Sequence, residues 1–104
     1  MIPAKVYEKL KSNWGPRAES LNCFAEYKLC GKSGKWAWYL LAVDPEDDET
    51  VKCIMTRGGV PDICTTTLSN IELFYDEDGE LPEGDPEFRP IRADVLYSKL
   101  LGKV

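Results

Sequence analysis

Four cysteines, eighteen carboxylates and no histidine make up the reactive inventory of this 104-residue chain. The missing histidine removes Ser-His-Asp and Cys-His nucleophilic catalysis, histidine-ligated metals and the commonest general base. Cys23, Cys30, Cys53 and Cys64 are separated by 6, 22 and 10 residues, which is not the paired Cys-x2-Cys spacing of a structural zinc site. A cysteine nucleophile needs its thiolate stabilised by a cation or a helix N-terminus. All four cysteines fall in segments that read as strands or strand ends, so they are expected as buried free thiols.

The carboxylates are clustered: five lie between Asp44 and Glu49 and seven between Asp76 and Glu87. Acid–base catalysis by a carboxylate pair needs surroundings that push the two pKa values apart, and these clusters sit in polar loops with nothing apolar to do so. A calcium reading of Asp76-Glu77-Asp78-Gly79-Glu80 also fails on spacing. A twelve-residue calcium loop begun at Asp76 puts Leu81 where the sharp turn requires glycine. Gly58-Gly59 lacks the flanking pattern of a phosphate-binding loop and reads as a turn. No catalytic residue, metal ligand or cofactor site is expected, and the chain reads as a non-enzyme.

Charge is unevenly distributed. Residues 1–40 carry +4 and residues 41–104 carry −9, for a net charge of −5. Such a field disfavours direct nucleic-acid binding and favours a partner with a basic surface. The longest apolar run, Trp36–Val43, is far short of the roughly 20 residues that span a bilayer, and no signal-peptide pattern opens the chain. The expected setting is cytoplasmic, with reduced thiols.

The elements that must position these groups follow from periodicity. Pro3–Asn13 reads as an amphipathic helix with Val6 and Leu10 on one face, Pro3 in its first turn and Gly15-Pro16 as its stop. Leu21–Leu29 alternates as a half-buried strand, and the glycines of Gly31–Gly34 reverse the chain. Trp36–Val43 is eight apolar residues without alternation, which fits a central strand covered on both faces. Asp44-Pro45 then marks where that strand leaves the core, since proline cannot donate to a ladder and an unpaired buried carboxylate is costly. Val51–Thr56 and Ile63–Leu68 read as two further strands around a turn at Arg57–Asp62. Ser69-Asn70-Ile71-Glu72 matches a capping box for a helical turn over Ile71–Tyr75. Asp76–Pro90 reads as a loop anchored by Phe88. Ile91–Leu101 closes as a helix with Ile91, Val95, Leu96 and Leu100 inward and Gly102 at its end. The expected architecture is a single α+β domain over residues 1–104: a four-stranded antiparallel meander with an N-terminal and a C-terminal helix.

The blocks Tyr27-Lys28-Leu29, W-x-W-Y-L-L (Trp36–Leu41), D-P-E-D-D (Asp44–Asp48), T-L-S-N-I-E (Thr67–Glu72) and G-D-P-E-F-R-P (Gly84–Pro90) together resemble a small family carried on plasmids, phages and integrative elements near antirestriction genes, known as a domain of unknown function. The chain departs from it at Ile63-Cys64-Thr65-Thr66, where the family has glycine-tyrosine followed by S-L-S-E-L, and at Gly84-Asp85-Pro86 within the last block. The resemblance implies a mobile-element setting and carries no catalytic residues. Residue chemistry and resemblance together point to a protein-binding module, an acidic modulator of a host-defence or nucleic-acid-handling protein. Its contact residues are expected at Asp44, Glu46, Asp47, Asp48, Glu49, Asp76, Glu77 and Asp78. The rival expectation is an oligomeric or accessory domain with an aromatic interface built from Trp14 or the Trp36/Trp38 strand.

Overall fold

The chain folds around strand β3 (Trp36–Val43), the middle member of a five-stranded antiparallel sheet. In the computed structural model, residues 2–74, 79 and 81–102 are described. β3 is flanked on one side by β2 (Tyr27–Cys30) and on the other by β4 (Thr50–Arg57), with β5 (Val60–Thr67) beyond β4. Seven of its eight residues are buried. Eight apolar residues can be accommodated in one strand only if both faces are covered, and helices cover both.

On one face lie α1 (Ala4–Asn13) and α3 (Leu68–Glu72). Leu10 of α1 and Leu68 and Ile71 of α3 pack there against Trp38, Leu40, Val43, Val51 and Cys53. On the other face α2 (Pro16–Glu19) and α4 (Ala93–Leu101) bring Ala18, Ala93, Leu96 and Leu100 against Ala37, Tyr39, Leu41, Ala42 and Ile54. A two-stranded ribbon of β1 (Phe24–Ala25) and β7 (Ile91–Arg92) leads into α4, whose first amide, at Ala93, donates to the Cys23 carbonyl at 2.8 Å.

β3 is not regular. Between Leu40 and Ala42 the register with β4 slips, so Leu40 faces Cys53 and Ala42 faces Lys52 with Leu41 as the extra residue. The bulge turns both Leu41 and Ala42 toward α4, while Leu40 and Val43 point to α1. It also re-aims the Leu41 carbonyl, which accepts a 3.0 Å hydrogen bond from Nδ2 of buried Asn13 at the end of α1; the same amide reaches Glu26 Oε2 at 3.1 Å. α1 is thereby keyed to the one irregular point of the central strand. Among the described residues no buried side-chain polar atom is left without a partner.

Several expectations are corrected. The sheet has five strands rather than four, because β6 (Glu83–Gly84), within the segment read as a loop, pairs with β2 as Leu29↔Gly84 and Cys30↔Glu83. Gly84 packs against the Tyr27 ring: a Cβ there would lie 2.8 Å from Tyr27 Cζ, so the ring would have to shift to admit one. The strand expected over Leu21–Leu29 is broken at Glu26, whose amide donates to the Leu40 carbonyl, and its two pieces pair with different strands. The turn expected over Arg57–Asp62 tightens to Gly58-Gly59, both at positive φ, which matches the twist of a two-residue hairpin. α3 is capped by Thr67, whose hydroxyl accepts the Asn70 amide at 3.1 Å, and not by Ser69. α4 begins at Ala93 because Ile91 and Arg92 are used in β7; its buried face is Ala93, Leu96 and Leu100, and Val95 is 42 % exposed. Phe88 does anchor its segment, 5.8 Å from the Tyr39 ring. No helix among the described residues is long and apolar enough to cross a membrane.

Candidate functional site

The acidic turn between β3 and β4 begins where the central strand emerges. The Asp44 amide still donates to the Thr50 carbonyl at 2.8 Å, extending the ladder by one rung. The chain then makes a single helical turn, closed by the Asp48 amide on the Asp44 carbonyl at 2.9 Å. Asp44 Oδ1 accepts the Glu46 amide at 2.9 Å, the side-chain-mimicked turn that aspartate readily forms. Asp48 sits in the left-handed region at φ 55°, which aspartate tolerates better than most residues.

Most of the turn's carboxylates have partners. Asp47 Oδ1 accepts the amides of Glu49 and Thr50 at 2.9 and 3.0 Å, and its Oδ2 accepts the Thr50 hydroxyl at 2.5 Å. The Thr50 hydroxyl, with these backbone amides, holds the Asp47 carboxyl below the usual aspartate range. Asp48 pairs with Lys11 Nζ at 3.6 Å, and its carbonyl accepts the Tyr7 hydroxyl. Burial, reinforced by the Asp48 charge, pushes the Tyr7 phenol up. Glu49 Oε1 accepts the Ser69 amide at 2.5 Å, and the Glu49 carbonyl accepts the Leu68 amide at 2.9 Å. Glu49 and Thr67 thus satisfy amides at the start of α3 that have no partner within the helix. Glu46 alone of the five carboxylates makes no hydrogen bond or ion pair among the described residues, and it is exposed together with Asp47 and Asp48.

Five of the eight expected contact residues are therefore gathered on one turn, fixed to α1, α3 and the start of β4. Asp76, Glu77 and Asp78 lie outside the described residues. Tyr7 and Lys11, which hold the turn, carry no sequence signal of that role. Their four-residue spacing puts them on one helix face, but nothing local links that face to Asp48. Among the described residues no group of three or more histidine, cysteine or acidic side chains is disposed to hold a metal ion.

The aromatic residues divide. Trp38 is buried, stacked 6.3 Å from Trp36, and Phe74 closes on both at 5.0 and 4.7 Å. Trp36 is half-buried beneath the Arg57 guanidinium, 5.0 Å from its ring centre. Trp14 is 37 % exposed and lines a cleft of about 420 Å³ with Pro16, Ala18 and the Glu19–Lys52 ion pair, whose charges are 3.1 Å apart. No family model matches the chain, and no curated protein or solved structure matches it.

Proposed function

We propose that this chain is a non-enzymatic protein-binding module that offers the Asp44–Glu49 turn to a basic surface on a partner protein. The observation that carries this reading is that the turn is held from α1, α3 and β4 while Glu46, Asp47 and Asp48 remain exposed. A pre-ordered set of carboxylates loses little conformational freedom on binding, and its field accelerates encounter with a cationic groove. The same sign of charge argues against direct nucleic-acid binding, and membrane insertion forms no part of the proposal. A carboxylate array of this kind competes with phosphates for a basic groove, so the partner class we favour is a host-defence or nucleic-acid-handling protein. That class agrees with the mobile-element setting implied by the motif resemblance.

The test is affinity capture from host lysate at low and high ionic strength, with wild type beside the Glu46→Lys and Asp48→Asn variants. These substitutions leave the Asp44, Asp47 and Glu49 hydrogen bonds in place. Proteins captured at low salt by wild type and lost from both the high-salt and the Glu46→Lys samples support the reading; capture unchanged by charge reversal and by salt overturns it.

The exposed Trp14 beside its apolar cleft favours a second reading, an accessory or oligomeric interface. Binding through that surface is insensitive to salt and abolished by Trp14→Ser, the opposite pattern to that of the acidic turn.

A further inference from the structure

The β4–β5 hairpin sets Cys53 directly opposite Cys64. Residues opposed across an antiparallel pair have Cα separations of about 4.5 to 5.5 Å, inside the range a disulfide accepts. The two sulfurs are 3.3 Å apart and share a hydrogen bond. Closing that gap to a bond of about 2.05 Å brings the sulfurs about 1.2 Å closer together.

The two thiols have unequal access. Cys53 is fully buried beneath the α1 face of the sheet, whereas Cys64, on the edge strand, is half-buried. Cys64 also lines a cavity of about 280 Å³ with Trp38, Met55, Ile71 and Phe74. The hydrogen bond from Cys53 holds the Cys64 thiol below the ordinary range, against partial burial and the nearby Asp62 charge and with help from Lys52. The shared proton and burial push Cys53 far up. Burial raises the thiols of Cys23 and Cys30, so neither shares this activation.

We propose that Cys64 and Cys53 form a dithiol–disulfide exchange site, with Cys64 attacking, Cys53 resolving, and a low-molecular-weight disulfide entering through the cavity beside α3 as the substrate. The Cys64 thiolate attacks one sulfur of the incoming disulfide, forms a mixed disulfide and expels one thiolate. Cys53 then gives its proton to that thiolate and attacks the Cys64 sulfur. The Cys53–Cys64 bond forms as the second external thiolate leaves and takes a proton from water. Two protein thiols are oxidised and one external disulfide is reduced to two thiols. The product bond ties edge strand β5 to the interior of the sheet. This site is independent of the acidic turn and of the binding reading placed on it.

The test is to treat the folded protein with oxidised glutathione, quench with acid, and map the products after trypsin digestion, which separates the two cysteines by cutting after Arg57. Wild type should yield the 53–64 cross-linked peptide pair with no lasting adduct, at a rate at least about tenfold above adduct formation at Cys30. Cys53→Ser should stop at one glutathionyl adduct on Cys64, and Cys64→Ser should leave Cys53 unmodified. Circular dichroism checks that each variant is folded; if Cys53→Ser is not, Cys53→Ala replaces it, and the wild-type arm decides without either. Both cysteines remaining alkylatable, a mixed disulfide that persists in wild type, or reaction at Cys30 ahead of Cys64 overturns the proposal.

Discussion

The two faces of the sheet solve the same burial problem with different side chains. Beneath α1 and α3 the core is built from large groups, namely Leu10, Leu29, Trp38, Leu40, Val43, Val51 and Ile71. Beneath α4 and the β1–β7 ribbon it relies on small ones, with Ala18, Cys23, Ala25, Ala37, Ala42 and Ala93 among its buried residues. Large side chains hold a helix at a distance and contribute buried area, whereas alanines let backbone approach backbone, as the Ala93 amide does on reaching the Cys23 carbonyl. One face should therefore be sensitive to lost volume and the other to added volume.

The largest expected effect is Leu40→Ala, which opens a cavity in the first face at a residue with no solvent exposure. Destabilisation of about 2–5 kcal/mol is expected in urea unfolding. A loss below about 1 kcal/mol would mean that the α1 face can collapse onto the gap, and the contrast would fail. Ala42→Leu makes the converse change on the other face, where the bulge already places Leu41 and Ala42 side by side. Overpacking there should destabilise by about 1–3 kcal/mol. Next in size is Thr67→Ala, which removes the cap of α3 and should lower stability by about 1 kcal/mol. A Ser69→Ala variant should leave stability nearly unchanged, separating the observed cap from the one the S-x-x-E pattern suggests.

How much of this was legible beforehand depended on whether the signal was local. The double coverage of Trp36–Val43 followed from eight apolar residues in a row, and the exit of the acids into solvent followed from the cost of burying them. The bulge within the same strand was invisible for the same reason: where every residue is apolar, alternation cannot report a slip of phase between Leu40 and Ala42. β6 is not legible because two residues, Glu83-Gly84, have no periodicity to read, and the Tyr27 ring that packs on the glycine comes from a distant strand. Periodicity alone starts the last helix two residues too early and puts Ile91 and Val95 on its inward face, since the pairing of Phe24–Ala25 with Ile91–Arg92 is long-range. At the acidic turn, exposure was legible but employment was not. Asp47 and Glu49 read as generic charges until Thr50 and the start of α3 were placed beside them.

That distinction gives the turn its own predictions, smaller than those for the core. Asp47 is held below its unfolded value of about 3.9. Its contribution is therefore complete above that value and is lost as pH falls through the lower folded pKa. Asp47→Asn should flatten the acid limb of a stability–pH profile in that window; an unchanged limb would show that the Thr50 contacts contribute nothing in solution. Among the described residues Glu46, one residue earlier, has no such partner, and Glu46→Lys should change stability by less than about 0.5 kcal/mol. The two neighbours sharpen the contrast between faces and turn, since the faces set how stable the fold is while the turn combines four partnered carboxylates, Asp47 among them, with Glu46, which has no partner among the described residues. A Glu46→Lys variant that unfolded like Leu40→Ala would erase that division, because a residue so placed can matter to stability only through contacts the folded turn does not make.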